Sequence, residues 1–222
     1  MRTSRSLVAA LLLVPVFTVV NGQDTTDYVQ ELVAEEDASW VEYRGGFDFR
    51  EGIYRTFLEF RLNAPSLPLS SLVDSEGQPI NDLRTFDGRV YVADSTGKRV
   101  KVDEGRAWGF CNNNAIYVAS AQGFVRMGML GSLGHTVVEV WRVQSIGLMD
   151  SGTPVLVDQL LNMRTGKWAV FNASSLREGI SDDAPLIAEF EGLPKRQRNK
   201  PETLFQFLRR YNERHPLRFP PS

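Results

Sequence analysis

The stretch from residue 106 to residue 127 reads RAWGFC, then NNN, then AIYVASAQGFVRM, and it constrains the fold more than any other part of the chain. Two runs rich in aromatic and β-branched residues flank three asparagines. Asparagine tolerates the positive φ that a tight hairpin turn demands, so the pattern predicts a hairpin in the middle of an antiparallel sheet. Period-two alternation puts Trp108 and Phe110 on one face, and both are expected in the main core beneath helices from the two ends of the chain.

Turn and strand signals extend the sheet in both directions. Glu76-Gly77, Asp87-Gly88 and Ser95-Thr96-Gly97 are turn sequences. Residues 89–93 and 98–102 flank the last of them, and the second run alternates Lys or Arg with Val, as a strand with one wet face does. Residues 133–143 place Thr136, Val138, Val140 and Arg142 on one face, with Val137, Glu139, Trp141 and Val143 on the other. A further hairpin pairs residues 154–161 with 168–171 around Arg164-Thr165-Gly166-Lys167, with positive φ expected at Gly166. Such spacing predicts an antiparallel meander curling toward a barrel or sandwich.

Helical signals lie outside this block. Thr56 and Glu59 have capping-box spacing, Phe57, Leu58 and Phe60 form a short apolar face, and Asn63-Ala64-Pro65 ends it. After Asn172 the period shifts toward 3.6. Short helices are expected at 174–179 and 185–191, with Asp182 and Asp183 placed to cap the second. Asn172-Ala173-Ser174 also fits a glycosylation sequon. Residues 195–200, KRQRNK, read as a solvated linker rather than a nucleic-acid patch. Leu204, Phe207, Leu208 and Tyr211 recur at i, i+3, i+4 and i+7, with Phe205 widening the stripe, in a helix that Asn199 and Pro201 open and Pro216 stops. The expected class is α+β, mainly antiparallel β: a curved meander sheet or partly open barrel, with a short N-terminal helix and C-terminal helices packed on it.

The start of the chain sets the compartment. Arg2 and Arg5 precede an apolar run from Leu7 to Val20, and Val20-Asn21-Gly22 offers small residues at a cleavage site. The run is shorter than the ~20 residues of a membrane span, so a signal peptide over 1–22 is expected and no span remains after cleavage. A flexible N-terminal arm follows over 23–45. A single β-rich domain covers 46–222, with its helical part at about 173–216. Losing two arginines takes the net charge of −2 to −4. Mild acidity of that size argues against nucleic acid and anionic membrane surfaces as partners.

Cys111 is the single cysteine, so no intramolecular disulfide forms. Set in an aromatic strand, it is expected to be buried and inert, because His135 and His215 are distant in sequence and nothing local activates a thiol. The glycine-rich stretch 128–134 lacks the Lys and the following hydroxyl of a phosphate-binding loop. It reads as a connection in which Met129, Leu130 and Leu133 cover the core edge or form the rim of a ligand mouth. No metal-ligating cluster, cofactor motif or catalytic triad is apparent.

Four segments, GIYRTFLEFRLNAP at 52–65, AWGFCNNNAIYV at 107–118, LLNMRTGK at 160–167 and LFQFLRRYNERHPLRFP at 204–220, resemble a family of exported bacterial proteins found mainly among Bacteroidetes. No activity or catalytic residue is assigned to that family. The resemblance implies export and one folding unit, and it carries no site. The leading functional expectation is a non-catalytic structural or partner-binding protein of the periplasm or cell surface, with an envelope protein as partner. One alternative is a binder of a small apolar ligand in a curved β-sheet cup. Another is a hydrolase that gathers carboxylates such as Glu104, Glu139 or Asp158 from separate strands.

Overall fold

The computed structural model describes residues 39–221, apart from 45–46, 75, 81, 84–85, 94–95, 121–122 and 147–148. The expected signal peptide lies outside the described residues, as does most of the expected N-terminal arm. The fold is α+β, with antiparallel strands in open sheets and helices gathered mainly toward the C-terminus. Among the described residues no sheet closes into a barrel.

The asparagine turn forms as its residues require. Strands β6 (Gly109–Asn112) and β7 (Ala115–Ser120) pair with Asn112 opposite Ala115. The two residues between them, Asn113 and Asn114, have φ of 49° and 57°. Positive φ at both central residues is the hairpin geometry whose twist matches that of the strands. β2 (Gly52–Tyr54) and β8 (Gly123–Arg126) complete this sheet in the order β2-β6-β7-β8. A second sheet consists of β3 (Leu72–Val73), β4 (Arg89–Ala93) and β5 (Arg99–Arg106). The third holds β9 (Leu133–Ile146) and β10 (Met149–Asn162) as a hairpin of 14-residue strands, with β11 (Trp168–Val170) beside β10. β1 (Val41–Glu42) pairs with β12 (Arg218–Phe219), tying the beginning of the described chain to its end.

The expectation that Trp108 and Phe110 share a face is corrected. Both are buried, but Trp108 stacks on Phe60 with ring centroids 4.6 Å apart, whereas Phe110 stacks on Tyr117 at 4.7 Å in a different cluster. The chain changes sheets between them. Ala107 donates its N–H to Gly88 beside β4, while Trp108 donates to Arg55 next to β2. The bend resets the alternation before β6 begins, so the period-two rule does not reach back to Trp108.

Helix α1 (Phe57–Arg61) is shorter than expected, and its capping differs in one bond. Thr56 accepts from the Glu59 N–H at 3.1 Å, while the Glu59 carboxylate reaches past Thr56 to the Arg55 N–H at 2.6 Å. Phe57 rests against Gly166, which has φ of 69°; a Cβ there would lie 2.7 Å from the ring. The turn and the helix therefore specify that glycine together.

The C-terminal layer comprises α2 (Ala173–Gly179), α3 (Ala184–Gly192), α4 (Lys195–Arg198) and α5 (Pro201–Arg214). Asn172 caps α2, accepting from the N–H groups of Ser174 and Ser175, and Asp183 caps α3 through Leu186. The basic run expected to be a linker forms the single turn α4. Asn199 closes α4 instead of opening α5, whose N-cap is Lys200 with no side-chain cap bond. The stripe of α5 buries Leu204, Phe207, Leu208 and Tyr211 against Leu133 and Leu160 of the β9–β10 hairpin.

Candidate functional site

The base of the β9–β10 hairpin brings a histidine, an aspartate and two phenylalanines beside a pocket. Register pairs His135 with Leu160 and Val137 with Asp158, so His135 and Asp158 are diagonal neighbours on one face. The His135 Nε2 lies 2.8 Å from Asp158 Oδ1. The histidine is buried and the aspartate side chain is 51% exposed. Phe171 and Phe205 pack edge-on against the imidazole with centroids at 5.4 and 4.8 Å, and against each other at 5.1 Å. A half-open pocket of about 210 Å³ lies above them, bounded also by Asn172, Ala173, Asn199, Pro201 and Leu204.

A histidine held by an aspartate makes two members of a hydrolytic triad, and the third is a hydroxyl or thiol at the other ring nitrogen. Here Nδ1 faces Gly128: a Cβ placed on that glycine would be 3.8 Å from it. Ser132 gives its hydroxyl to the His215 carbonyl at 2.6 Å. Glu139 and Asp158 share one face of the hairpin, with Glu139 opposite Leu156, rather than confronting each other across a cleft. Glu104 is placed in β5 by its backbone.

Cys111 is fully buried, with its sulfur 3.9 Å from the Phe49 carbonyl. Burial and then the Glu51 carboxylate push its thiol up to about 11. A thiol so placed stays protonated and unreactive at neutral pH. Asp183 receives Leu186 N–H, Arg214 and His215, and Asp182 receives the Tyr211 hydroxyl. These bonds join the start of α3 to the end of α5. Among the described residues no group of three His, Cys, Asp or Glu is placed to hold a metal ion.

The expected rim residues sit at a packed corner. Leu133 is buried under the helices. Met129 and His135 exchange backbone bonds of 3.0 and 2.9 Å. Met129 packs on the helical cluster and Leu130 on the aromatic cluster around Phe60. The His135–Asp158 pair and the Phe171–Phe205 contact were not foreseen from sequence. The available signal was parity: His135 and Asp158 fall on the face of the hairpin that also carries Leu160.

Farther along the same hairpin the described helices no longer cover this face. Val137 is 42% exposed, Trp141 55% and Leu156 74%, with Pro154 also exposed. All lie on the face that the helices cover at the base. No described helix is long and apolar enough to cross a membrane.

The architecture is that of an antiparallel α+β protein with a helix-covered hairpin. Set against family models, curated proteins and solved structures, the chain matches none.

Proposed function

We propose that this chain is an exported, non-catalytic binding module of the periplasm or cell surface, and that its partner is an envelope protein laying an extended apolar strand along β9. The exposed apolar side chains on one face of the β9–β10 hairpin carry this reading. Exposed large side chains are common singly, but here Leu156 lies among Val137, Trp141 and Pro154 on one face, with the Glu139 carboxylate directly opposite it.

Backbone parity supports β9 as the receiving edge. His135 directs both its N–H and C=O away from β10, toward Met129, so odd-numbered residues of β9 point outward. On β10, Asp158 and Asn162 bond toward β11, so even-numbered residues point outward there. Pro154 occupies one of those outward positions and has no N–H to give, which blocks the β10 edge. Among the described residues, the only bridge on the other edge of β9 is Met129–His135. Strand addition supplies affinity through main-chain bonds and selectivity through alternate side chains, which would meet the Val137–Trp141–Leu156 face.

The test is a photoreactive phenylalanine analogue at Leu156 in the producing cells, with one at exposed Glu178 of α2 as control. A discrete adduct from position 156, lost when Val137→Lys is added, is the expected result. No adduct beyond that of the control would overturn the proposal.

A further inference from the structure

We infer that the pocket at the base of the β9–β10 hairpin binds a single neutral sugar ring, a pyranose at the end of a glycan or free in solution. This site is separate from the β9 edge and does not depend on it. The pocket has a volume of about 210 Å³. It is smaller than the usual pocket for a drug-sized ligand and suits a ring of about a dozen heavy atoms.

Electrostatics selects against a charged ligand. Asp158 contributes a carboxylate, which repels anions. Yet Asp158 Oδ1 is already held by His135 at 2.8 Å, and the first turn of α5 opens on the opposite wall at Pro201. The end of that helix carries a partial positive charge of about half a unit, and Lys200 is beside it. A cation therefore gains little there. What remains is hydrogen bonding: Asp158 Oδ2 can accept, and the side-chain amide of Asn199 has no partner among the described residues. Asn172 accepts from Ser174 and Ser175 and donates one N–H to the Val170 carbonyl, leaving its second N–H for a ligand.

The apolar wall completes the match. Phe205 is partly exposed, held edge-on by Phe171. With Phe171 and Leu204 it gives the pocket an apolar wall, which suits the C–H groups on one side of a pyranose. Hydroxyls around the rim of such a ring can then reach the carboxylate and the two amides.

The experiment is saturation-transfer NMR on the protein with the methyl pyranosides of glucose, galactose and mannose, alongside butylammonium and acetate as charged probes. At least one glycoside should bind with a dissociation constant of roughly millimolar, the strength reasonable for about a dozen heavy atoms. Asn199→Ala, an exposed change, should weaken it about fivefold or more, as loss of one hydrogen bond does, without moving the thermal midpoint. Phe205→Ala should remove the transfer to the ring C–H protons. The inference fails if no glycoside gives an Asn199-dependent signal at roughly ten times that concentration, or if butylammonium or acetate binds in preference to every glycoside.

Discussion

Asn212 of α5 pairs with both backbone groups of Leu133: it accepts from the Leu133 N–H at 2.8 Å and donates to the Leu133 carbonyl at 2.9 Å. A side-chain amide here takes the place of a neighbouring strand. It covers the outward edge of β9 for one residue, and Met129 covers the next outward residue, His135. Asn212→Ala leaves a buried donor and acceptor unsatisfied, at about 1–3 kcal/mol each. A loss of about 3 kcal/mol is expected, read from urea unfolding with an unchanged slope. Gly131 faces the same amide so closely that any side chain there must displace it. Gly131→Ala and Asn212→Ala should therefore be non-additive in a double-mutant cycle.

The two turn asparagines are not equivalent. Asn114 also accepts from the Phe49 N–H at 2.9 Å and donates to the Phe47 carbonyl at 2.9 Å, pinning the segment before β2. Among the described residues the side chain of Asn113 makes no such bond; its backbone N–H goes to Glu51. Glycine satisfies positive φ at either position. Asn113→Gly is expected to change stability by less than about 0.5 kcal/mol, and Asn114→Gly to cost about 1–3 kcal/mol through the lost bonds. Chemical unfolding of the two variants side by side checks this.

The same residues mark where the sequence was readable. Positive φ at Asn113 and Asn114 is local chemistry, and so are the apolar stripe of α5 and the Asp183 cap. Asn212 could not be read, because its partner Leu133 is 79 residues away. Trp108 misled for another reason: alternation holds within a strand, and the chain passes between two sheets at Ala107–Trp108. The His135–Asp158 pair depended on the register of a hairpin whose strands the pattern showed too short. Residues 133–143 were foreseen, against Leu133–Ile146 observed.

Cys111 offers a chemical clock for unfolding. Its thiol ordinarily ionises at 9.0 and is pushed up to about 11, first by burial and then by Glu51. Below the ordinary value both folded and unfolded chains keep the proton, so stability is indifferent to this group. Above it the unfolded chain loses the proton first, so stability falls as pH rises from about 9 to about 11. Native protein should resist a thiol reagent at pH 8 and react fully in denaturant. Cys111→Ala should remove this part of the alkaline decline.

Acid should act where α3 meets the end of α5. Burial alone would raise the Asp183 carboxyl, but the Leu186 N–H, His215 and Arg214 outweigh it and hold the group below its ordinary range. A lowered carboxyl stabilises the fold above the unfolded value, and that contribution disappears as pH falls through the folded value. Asp183→Asn should accordingly flatten the acid limb of the stability profile below about pH 4. Its stability should approach that of the parent protein most closely at the acid end, as thermal midpoints across pH would show.

The open hairpin face makes a prediction about tolerance. Leu156 is 74% exposed, whereas Leu161, five residues along the same strand, is completely buried. Leu156→Lys removes no core contact and should leave stability within about 0.5 kcal/mol. Leu161→Ala opens a cavity beside Met163 and the aromatic cluster and should cost about 2–5 kcal/mol. A large loss at Leu156 in isolated protein would mean that this face is covered within the chain itself. A neutral effect on folding, together with loss in cells of the adduct formed when the photoreactive analogue is placed at Val137 instead, would tie the residue to the partner rather than to the core.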